Sequence, residues 1–501
     1  MQVTNLKLVD IQRFNNPILV YGAGIYASIL LTYLRIQGVD QEVRGCIVSK
    51  IDDNNRSLSN FPVQGVDEID DIAEYTIIVA VVPKNSEQVY AKLADRNVSF
   101  CHQVTNDCIE DMVNDIETFF LNYPVQENKV FIDCFEGLGY RCNCKYLAQE
   151  FRKHGYQIVW NLSDKAVDDI PEGITKVKQY SFEYFQEAYT SKIYITNDGV
   201  EPKIHKRKEQ KFICSWHGAG PLKKTNIDLC PDDVEMKKYF QDMYKNIDIF
   251  LSPSKFNTQV IRRAFYYEGD VLECGSPRMD CLLNKNDFRD KVCEYYKIDP
   301  KNKIVLYAPT FRKSSIGDEG SPVISFEKYD IKWEMIRVSL KKRFGGSFVL
   351  LYRFHHMLYR FAESRMSYPD AINVTLYSDV QELLGAADIL ITDYSSIMWD
   401  FSLQRKPVFL YQKDLDEYIR DRGFYSDIEE WPYIKARTNE ELSEKILGFD
   451  NDKYATELNQ FLEKYGTFDD GHACKKAVEH IFQTLGRNPK IKEECLSEGS
   501  T

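Results

Sequence analysis

Three segments combine residue types that could move a proton and hold an anion. The first is Phe212-Ile213-Cys214-Ser215-Trp216-His217-Gly218-Ala219-Gly220-Pro221-Leu222-Lys223-Lys224. An apolar run ends there on a histidine, which can take a proton from an alcohol near neutral pH. Gly218 and Gly220 let backbone N–H groups approach an anion, and Lys223 and Lys224 add positive charge within the same loop. A turn histidine beside solvated lysines has the same spacing, so the segment alone leaves both readings open. The second segment is Leu350-Leu351-Tyr352-Arg353-Phe354-His355-His356. In an extended stretch Arg353 and His355 share one side, and a guanidinium offers a planar fork of donors to phosphate. The third is Ala387-Asp388-Ile389-Leu390-Ile391-Thr392-Asp393-Tyr394-Ser395-Ser396, with Asp400 one turn further along. Its serines fall where a helix begins, so they serve either as caps or as hydroxyl donors to a phosphate, and Asp400 could accept from ligand hydroxyls. Ala308-Pro309-Thr310 and Gly275-Ser276-Pro277-Arg278 are two further strand ends, with a hydroxyl and a cation.

Delivering these side chains to one place requires parallel strands that end on the same side of a sheet. Buried parallel strands read as short apolar runs between helical stretches. Such runs are expected at 18–21, 43–49 and 76–82 in a first unit, 1–106. A second unit, 129–300, has them at 130–134, 157–161, 193–196, 212–216, 247–252 and 271–274. A third, 301–486, has them at 304–308, 348–353, 373–376, 389–392 and 407–410. An acidic helical connector covers 107–128, and 487–501 is a polar tail. The fold class is therefore α/β, with two doubly wound sheets facing across a cleft behind an N-terminal Rossmann-like module. In such sheets ligands sit beyond the carboxyl ends of the strands, where the reactive residues fall. The N-terminal module carries Gly22-x-Gly24-x-x-Ala27 after its first strand. Those glycines either bind a nucleotide at a helix N-terminus or serve only the turn. The acidic partners, Asp52 and Asp53, lie further along than the dinucleotide pattern requires.

The chain has 501 residues and a net charge of −12, which argues against a nucleic-acid partner. No apolar run is long enough to span a bilayer, and the N-terminus lacks a signal-peptide core, so a cytoplasmic protein is expected. Thirteen cysteines, several in apolar runs, fit reduced thiols. Cys142 and Cys144 form a close pair without a second pair at zinc spacing, so no metal is expected. Lys203-Ile204-His205-Lys206-Arg207-Lys208 is a basic run, read either as a solvated loop or as a contact for anionic lipid or polymer.

Taken in order, these motifs resemble the CDP-glycerol glycerophosphotransferase family of teichoic-acid and capsule enzymes. Glu136-Gly137-x-Gly139-Tyr140, Trp216-His217-Gly218, Pro221-Leu222-Lys223-Lys224, Ser252-Pro253-Ser254, Gly275-x-Pro277-Arg278-x-Asp280, Ala308-Pro309-Thr310, Arg353-x-His355, Thr392-Asp393-Tyr394-Ser395-Ser396 with Asp400, and Asp470-Gly471 carry the resemblance. It implies a GT-B fold and metal-independent transfer, with no cofactor beyond a CDP-glycerol or CDP-ribitol donor. It implies that His217 is the base on the acceptor hydroxyl, and that Arg278, Pro309, Thr310, Arg353, His355, Ser395, Ser396 and Asp400 contact the CDP-polyol. His217 and His355 are thus the catalytic candidates. Gly218, Ala219, Gly220, Pro221, Lys223 and Lys224 join the substrate-binding set, and Gly22 and Gly24 are the candidate nucleotide-binding glycines of the N-terminal module. The acceptor would be a lipid-linked or polymeric glycan, met at the inner face of the membrane. Ala219-Gly220 resembles the form seen in ribitol-phosphate and capsule members, and Arg141-Cys142-Asn143-Cys144-Lys145 departs from the family's usual Asp-Asn-Pro-Lys. A GT-B glycosyltransferase using a nucleotide sugar, or a non-catalytic polymer-binding protein, would present a similar cleft.

Overall fold

The computed structural model describes residues 1–14, 16–51, 56–163, 169–200, 204–310, 312, 329–354 and 371–487. The chain divides into two compact units, one of Met1–Gly139 with Phe151–Ile213, the other of Tyr140–Glu150 with Cys214–Thr501.

In the first unit, Ile18–Tyr21 is buried at every position, as a central parallel strand demands. It pairs in parallel with Val43–Val48 on one side and Thr76–Val79 on the other. Gly22 follows with φ +131°, and a Cβ there would sit 2.6 Å from the carbonyl oxygen of Ala80. Glycine is thus required by the turn and by the close strand. Gly24 is the N-cap of the helix Ile25–Ile36, makes no side-chain cap bond and faces open space. Asp52 and Asp53 lie outside the described residues.

The expected connector is a helix over Asn106–Leu121, capped by Thr105, whose Oγ accepts from the backbone N–H of Cys108 at 3.2 Å. Pro124 prevents its continuation, and the strand Gln126–Asp133 begins two residues later. The helix end is held by Arg207, which donates to the carbonyls of Phe120 (3.4 Å), Leu121 (3.4 Å) and Tyr123 (2.7 Å). His205 Nδ1 lies 2.6 Å from Glu117 on the same helix. Two members of the basic run are therefore committed to the fold, as expected where cations meet a helix C-terminus. Lys203 lies outside the described residues. Thr175–Lys178, Gln157–Leu162, Gln126–Asp133, Ser191–Thr196 and Lys211–Cys214 lie side by side in that order.

The second unit contains the parallel pair Ile249–Ser252 and Asp270–Glu273, and a six-stranded sheet. Across that sheet the strands run Ala371–Asn373, Phe348–Tyr352, Lys303–Tyr307, Ile389–Thr392, Val408–Tyr411, Ile434–Ala436, all parallel. In chain order this is 3-2-1-4-5-6, the doubly wound arrangement whose direction of growth reverses between the first and fourth strands. Those two strands, Lys303–Tyr307 and Ile389–Thr392, pair with Tyr307 opposite Ile391. Their carboxyl ends open the crevice where a ligand is expected. Among the described residues, no helix is long and apolar enough to cross a membrane.

Candidate active site

A cavity of about 620 Å³ in the second unit lies at this reversal point. The ends of the first, second and fourth strands contribute Pro309 and Thr310, Arg353, and Ser395 and Ser396. The loop after Lys211–Cys214 contributes His217, Gly218, Ala219, Gly220, Lys223 and Lys224. Pro221, Arg278 and Asp400 do not line it, and His355 lies outside the described residues.

The histidine loop leaves its strand earlier than the apolar run suggests, because Trp216 adopts a left-handed φ of +45°. That conformation costs a non-glycine residue roughly 1–3 kcal/mol and persists only when its surroundings fix it. The indole of Trp216 lies against the imidazole of His217, with centroids 4.0 Å apart, and meets Phe265 edge-on at 4.7 Å. Gly220 has φ +75°, and a Cβ there would come within 2.6 Å of the buried Trp399 ring. Its N–H donates to Asn257 Oδ1 at 3.2 Å, and Asn257 is itself fixed by Ser254. Pro221 serves from outside the cavity, its carbonyl accepting from Ser426 Oγ at 2.7 Å. Lys223 pairs with Phe424 as an antiparallel bridge.

The cations are of two kinds. Arg278 and Asp400 face each other as a buried fork, Nε–Oδ2 2.9 Å and Nη2–Oδ1 3.1 Å, with Gln381 donating to the same carboxylate at 3.1 Å. Their charges are matched within the protein. Beside them, burial pushes the Asp469 carboxyl up to about 7. Arg353 and Lys223, which line the cavity, form no ion pair among the described residues. Among the described residues Arg353 donates to the carbonyls of Val374 and Tyr377. Burial, reinforced by the like charge of Arg141, pushes its guanidinium down to about 10. Burial, reinforced by Arg422 and Arg312, pushes the Lys223 ammonium down to about 8, against the pull of Asp393. Two strained positive charges in one cavity are what a dianionic ligand would relieve.

The hydroxyls are placed by a buried carboxylate. Asp393 accepts from the N–H of Thr310 at 2.9 Å and from Arg312 Nη2 at 2.7 Å, and Arg312 also forks Asp414 at 2.6 Å. The Arg312 guanidinium lies over Tyr394 and Tyr418, two rings stacked 3.9 Å apart. With its N–H anchored, Thr310 keeps a hydroxyl without a partner among the described residues. Ser396 is the N-cap of the helix Ile397–Ser402 but makes no side-chain cap bond. Among the described residues Ser395 Oγ meets the N–H of Ile397, at 3.5 Å. The capping reading of the serines therefore accounts for little of their hydrogen-bonding capacity.

Sequence reasoning passed over several contributors. Tyr418 and Arg422 line the cavity from the helix Leu415–Arg422, and Tyr425 from the turn beyond it. Their spacing, one helical turn apart, was the only available signal. Asn143 was noticed only as part of a departure from a motif. Among the described residues no group of His, Cys, Asp and Glu is placed to hold a metal ion.

Residues 116–483 match the family described as CDP-Glycerol:Poly(glycerophosphate) glycerophosphotransferase. The chain belongs to this family. As a glycerophosphotransferase it is 29% identical over 377 residues to the teichoic acid poly(glycerol phosphate) polymerase of Bacillus spizizenii, spanning 72% of this chain and 93% of that protein. It is 23% identical over 378 residues to the teichoic acid ribitol-phosphate primase of the same organism, spanning 72% and 92%. The solved wall teichoic acid polymerase TagF matches it with a TM-score of 0.64 and 25% identity, over 75% of this chain and 94% of that one. The glycerophosphotransferase thus has the α/β fold class expected from its sequence, GT-B-like Rossmann domains after an N-terminal module, and it is an enzyme of polyol-phosphate transfer.

Proposed function

We propose that this chain transfers glycerol phosphate or ribitol phosphate from a CDP-polyol to a hydroxyl of a lipid-linked or polymeric glycan acceptor, releasing CMP, in teichoic-acid-like or capsule synthesis. The observation that supports this most is the gathering of His217, two cations without carboxylate partners among the described residues, and the hydroxyls of Thr310, Ser395 and Ser396 in one cavity at the sheet's reversal point. His217 takes the proton of the acceptor hydroxyl. The acceptor oxygen bonds to the phosphorus that carries the polyol, and the bond from that phosphorus to the bridging oxygen breaks, so that CMP leaves with the electron pair. Arg353 and Lys223, with the hydroxyls, stabilise the charge that develops on the phosphoryl oxygens. Arg278 and Asp400 act from behind, as a matched pair that shapes the wall. His355 is proposed beside Arg353 on the strength of the motif alone.

We place the reaction on the cytoplasmic side, at the inner membrane face. None of the twelve described cysteines is in a disulfide, as a reducing compartment keeps them. The test is incubation of the purified chain with CDP-glycerol or CDP-ribitol and a panel of acceptors, following CMP release and product mass. CMP release with a mass gain of one polyol phosphate is expected, and His217→Ala should lower turnover by about 10²–10⁴-fold. Full turnover in a folded His217→Ala protein, or a nucleoside diphosphate released from a nucleotide sugar instead, would overturn the reading.

A further inference from the structure

We propose that Asn143 is a positioning residue for the transfer reaction, acting through Trp216 to set the imidazole of His217; this rests on the role of His217 proposed above. Asn143 is 1% exposed and spends its whole carboxamide on backbone. Its Nδ2 donates to the carbonyls of Ser215 at 3.0 Å and Trp216 at 2.7 Å, and its Oδ1 accepts from the N–H of Arg278 at 3.0 Å. The two carbonyls belong to the residues immediately before His217.

The geometry makes these bonds directional rather than merely cohesive. Trp216 holds a left-handed backbone, which fixes both where its ring lies and how the chain enters His217. The ring then bears on the imidazole at 4.0 Å. Gly218 leaves space beside the indole that a Cβ would remove, since that atom would fall 2.6 Å from Trp216 Nε1. The imidazole orientation is therefore set by a conformation that the local chain disfavours and that Asn143 clamps through both flanking carbonyls. The third bond fixes the start of the turn Pro277–Met279, whose Arg278 forks Asp400 of the helix beginning after Ser395 and Ser396. One carboxamide thus holds the loop that bears the base in register with the wall behind the serines. A side chain serving only packing would need neither the paired donors nor the acceptor.

Asn143→Ala removes all three bonds. Asn143→Asp keeps an acceptor for Arg278 but turns the amide nitrogen that donates both bonds into one oxygen facing two carbonyls, so it releases the histidine loop selectively. Both variants should bind CDP-glycerol with the parent's affinity by calorimetry, while kcat for CMP release falls about 100-fold, the scale of a misplacement near 1 Å. A readout independent of turnover comes from NMR of protein labelled on its eight histidine rings, with the His217 signal assigned by His217→Gln. In the parent that signal should carry the ring-current shift of the Trp216 ring tilted against it, and in both variants it should relax towards that of an imidazole away from the indole.

A His217 signal unmoved in Asn143→Asp would overturn the proposal. So would kcat within about twofold of the parent, or donor affinity falling in step with kcat, given that positioning acts on the reacting geometry and not on donor binding. If the parent transfers nothing from either CDP-polyol, the proposed function fails, and the His217 signal still decides whether Asn143 positions the ring.

Discussion

Replacing Lys223 with methionine should make the protein more stable and a poorer donor binder. The ammonium sits half-buried in the cavity wall, and burial together with Arg422 and Arg312 brings it from an ordinary 10.5 to about 8. That difference corresponds to at most about 3 kcal/mol by which the folded state disfavours the charged form. The sign follows from which state holds the proton. Below pH 8 both the folded and unfolded chains carry the charge, and the folded chain bears the full penalty. Between pH 8 and 10.5 the unfolded chain keeps a proton that the folded chain has released, so stability of the parent rises with pH. Above 10.5 the penalty is gone. The methionine variant has no such slope, so its advantage should be largest at pH 7 and vanish near pH 10.5, as read from denaturant midpoints of the unit that carries it. The donor's phosphates reverse the shift by giving the ammonium its counter-charge. CDP-glycerol binding to the parent at pH 9 should therefore take up a proton, measurable by calorimetry in two buffers of different ionisation enthalpy, and the methionine variant should show neither the uptake nor the parent's affinity. A methionine variant less stable than the parent at pH 7, or donor binding at pH 9 without proton uptake, would refute the reasoning.

Asp400→Ala should destabilise the second unit by about 3–5 kcal/mol, because it leaves Arg278 charged and buried, whereas Arg278→Met combined with Asp400→Leu should recover most of that loss. Thermal unfolding of the three proteins checks this. Gly220→Ala should cost roughly 1–3 kcal/mol, from its positive φ and from the collision with Trp399, and Trp399→Leu in the same chain should return only the steric part. Paired unfolding curves separate the two contributions.

The parts of the site that were legible share one physical origin. Parallel strands buried on both faces are apolar runs, so Ile389–Thr392 and Lys303–Tyr307 stood out, and the polar residue that ends each run marks the crevice. Edge strands give no such signal. Gln2–Asn5 is largely exposed, Thr175–Lys178 buries only Val177, and Ile434–Ala436 has three residues, so none was anticipated. Phe61–Gly65 was hidden by Pro62, which a sheet tolerates only near an edge. Within the site, Arg278 and Asp400 each look like ligand contacts when read singly. That they pair with each other across 122 residues is a property of the fold and has no trace in local spacing. The clamp at Asn143 is illegible for the same reason, since its partners are backbone atoms whose identity no side chain announces.

The segment Tyr140–Glu150 belongs with the second unit although the chain returns to the first unit after it. During synthesis this has a consequence in time. Lys145, bound to Asp379 and Glu382 in the folded protein, is made 234 and 237 residues before them. At about 5–20 residues per second, Lys145 emerges some 10–50 s before its partners exist. For that interval the cation destined for burial waits in water, while the carboxamide of Asn143 waits a shorter time, 72 residues for Ser215 and 135 for Arg278. The active unit therefore cannot be born by simple N-to-C addition, and a chain cut after Ile213 would strand its clamp on the wrong fragment.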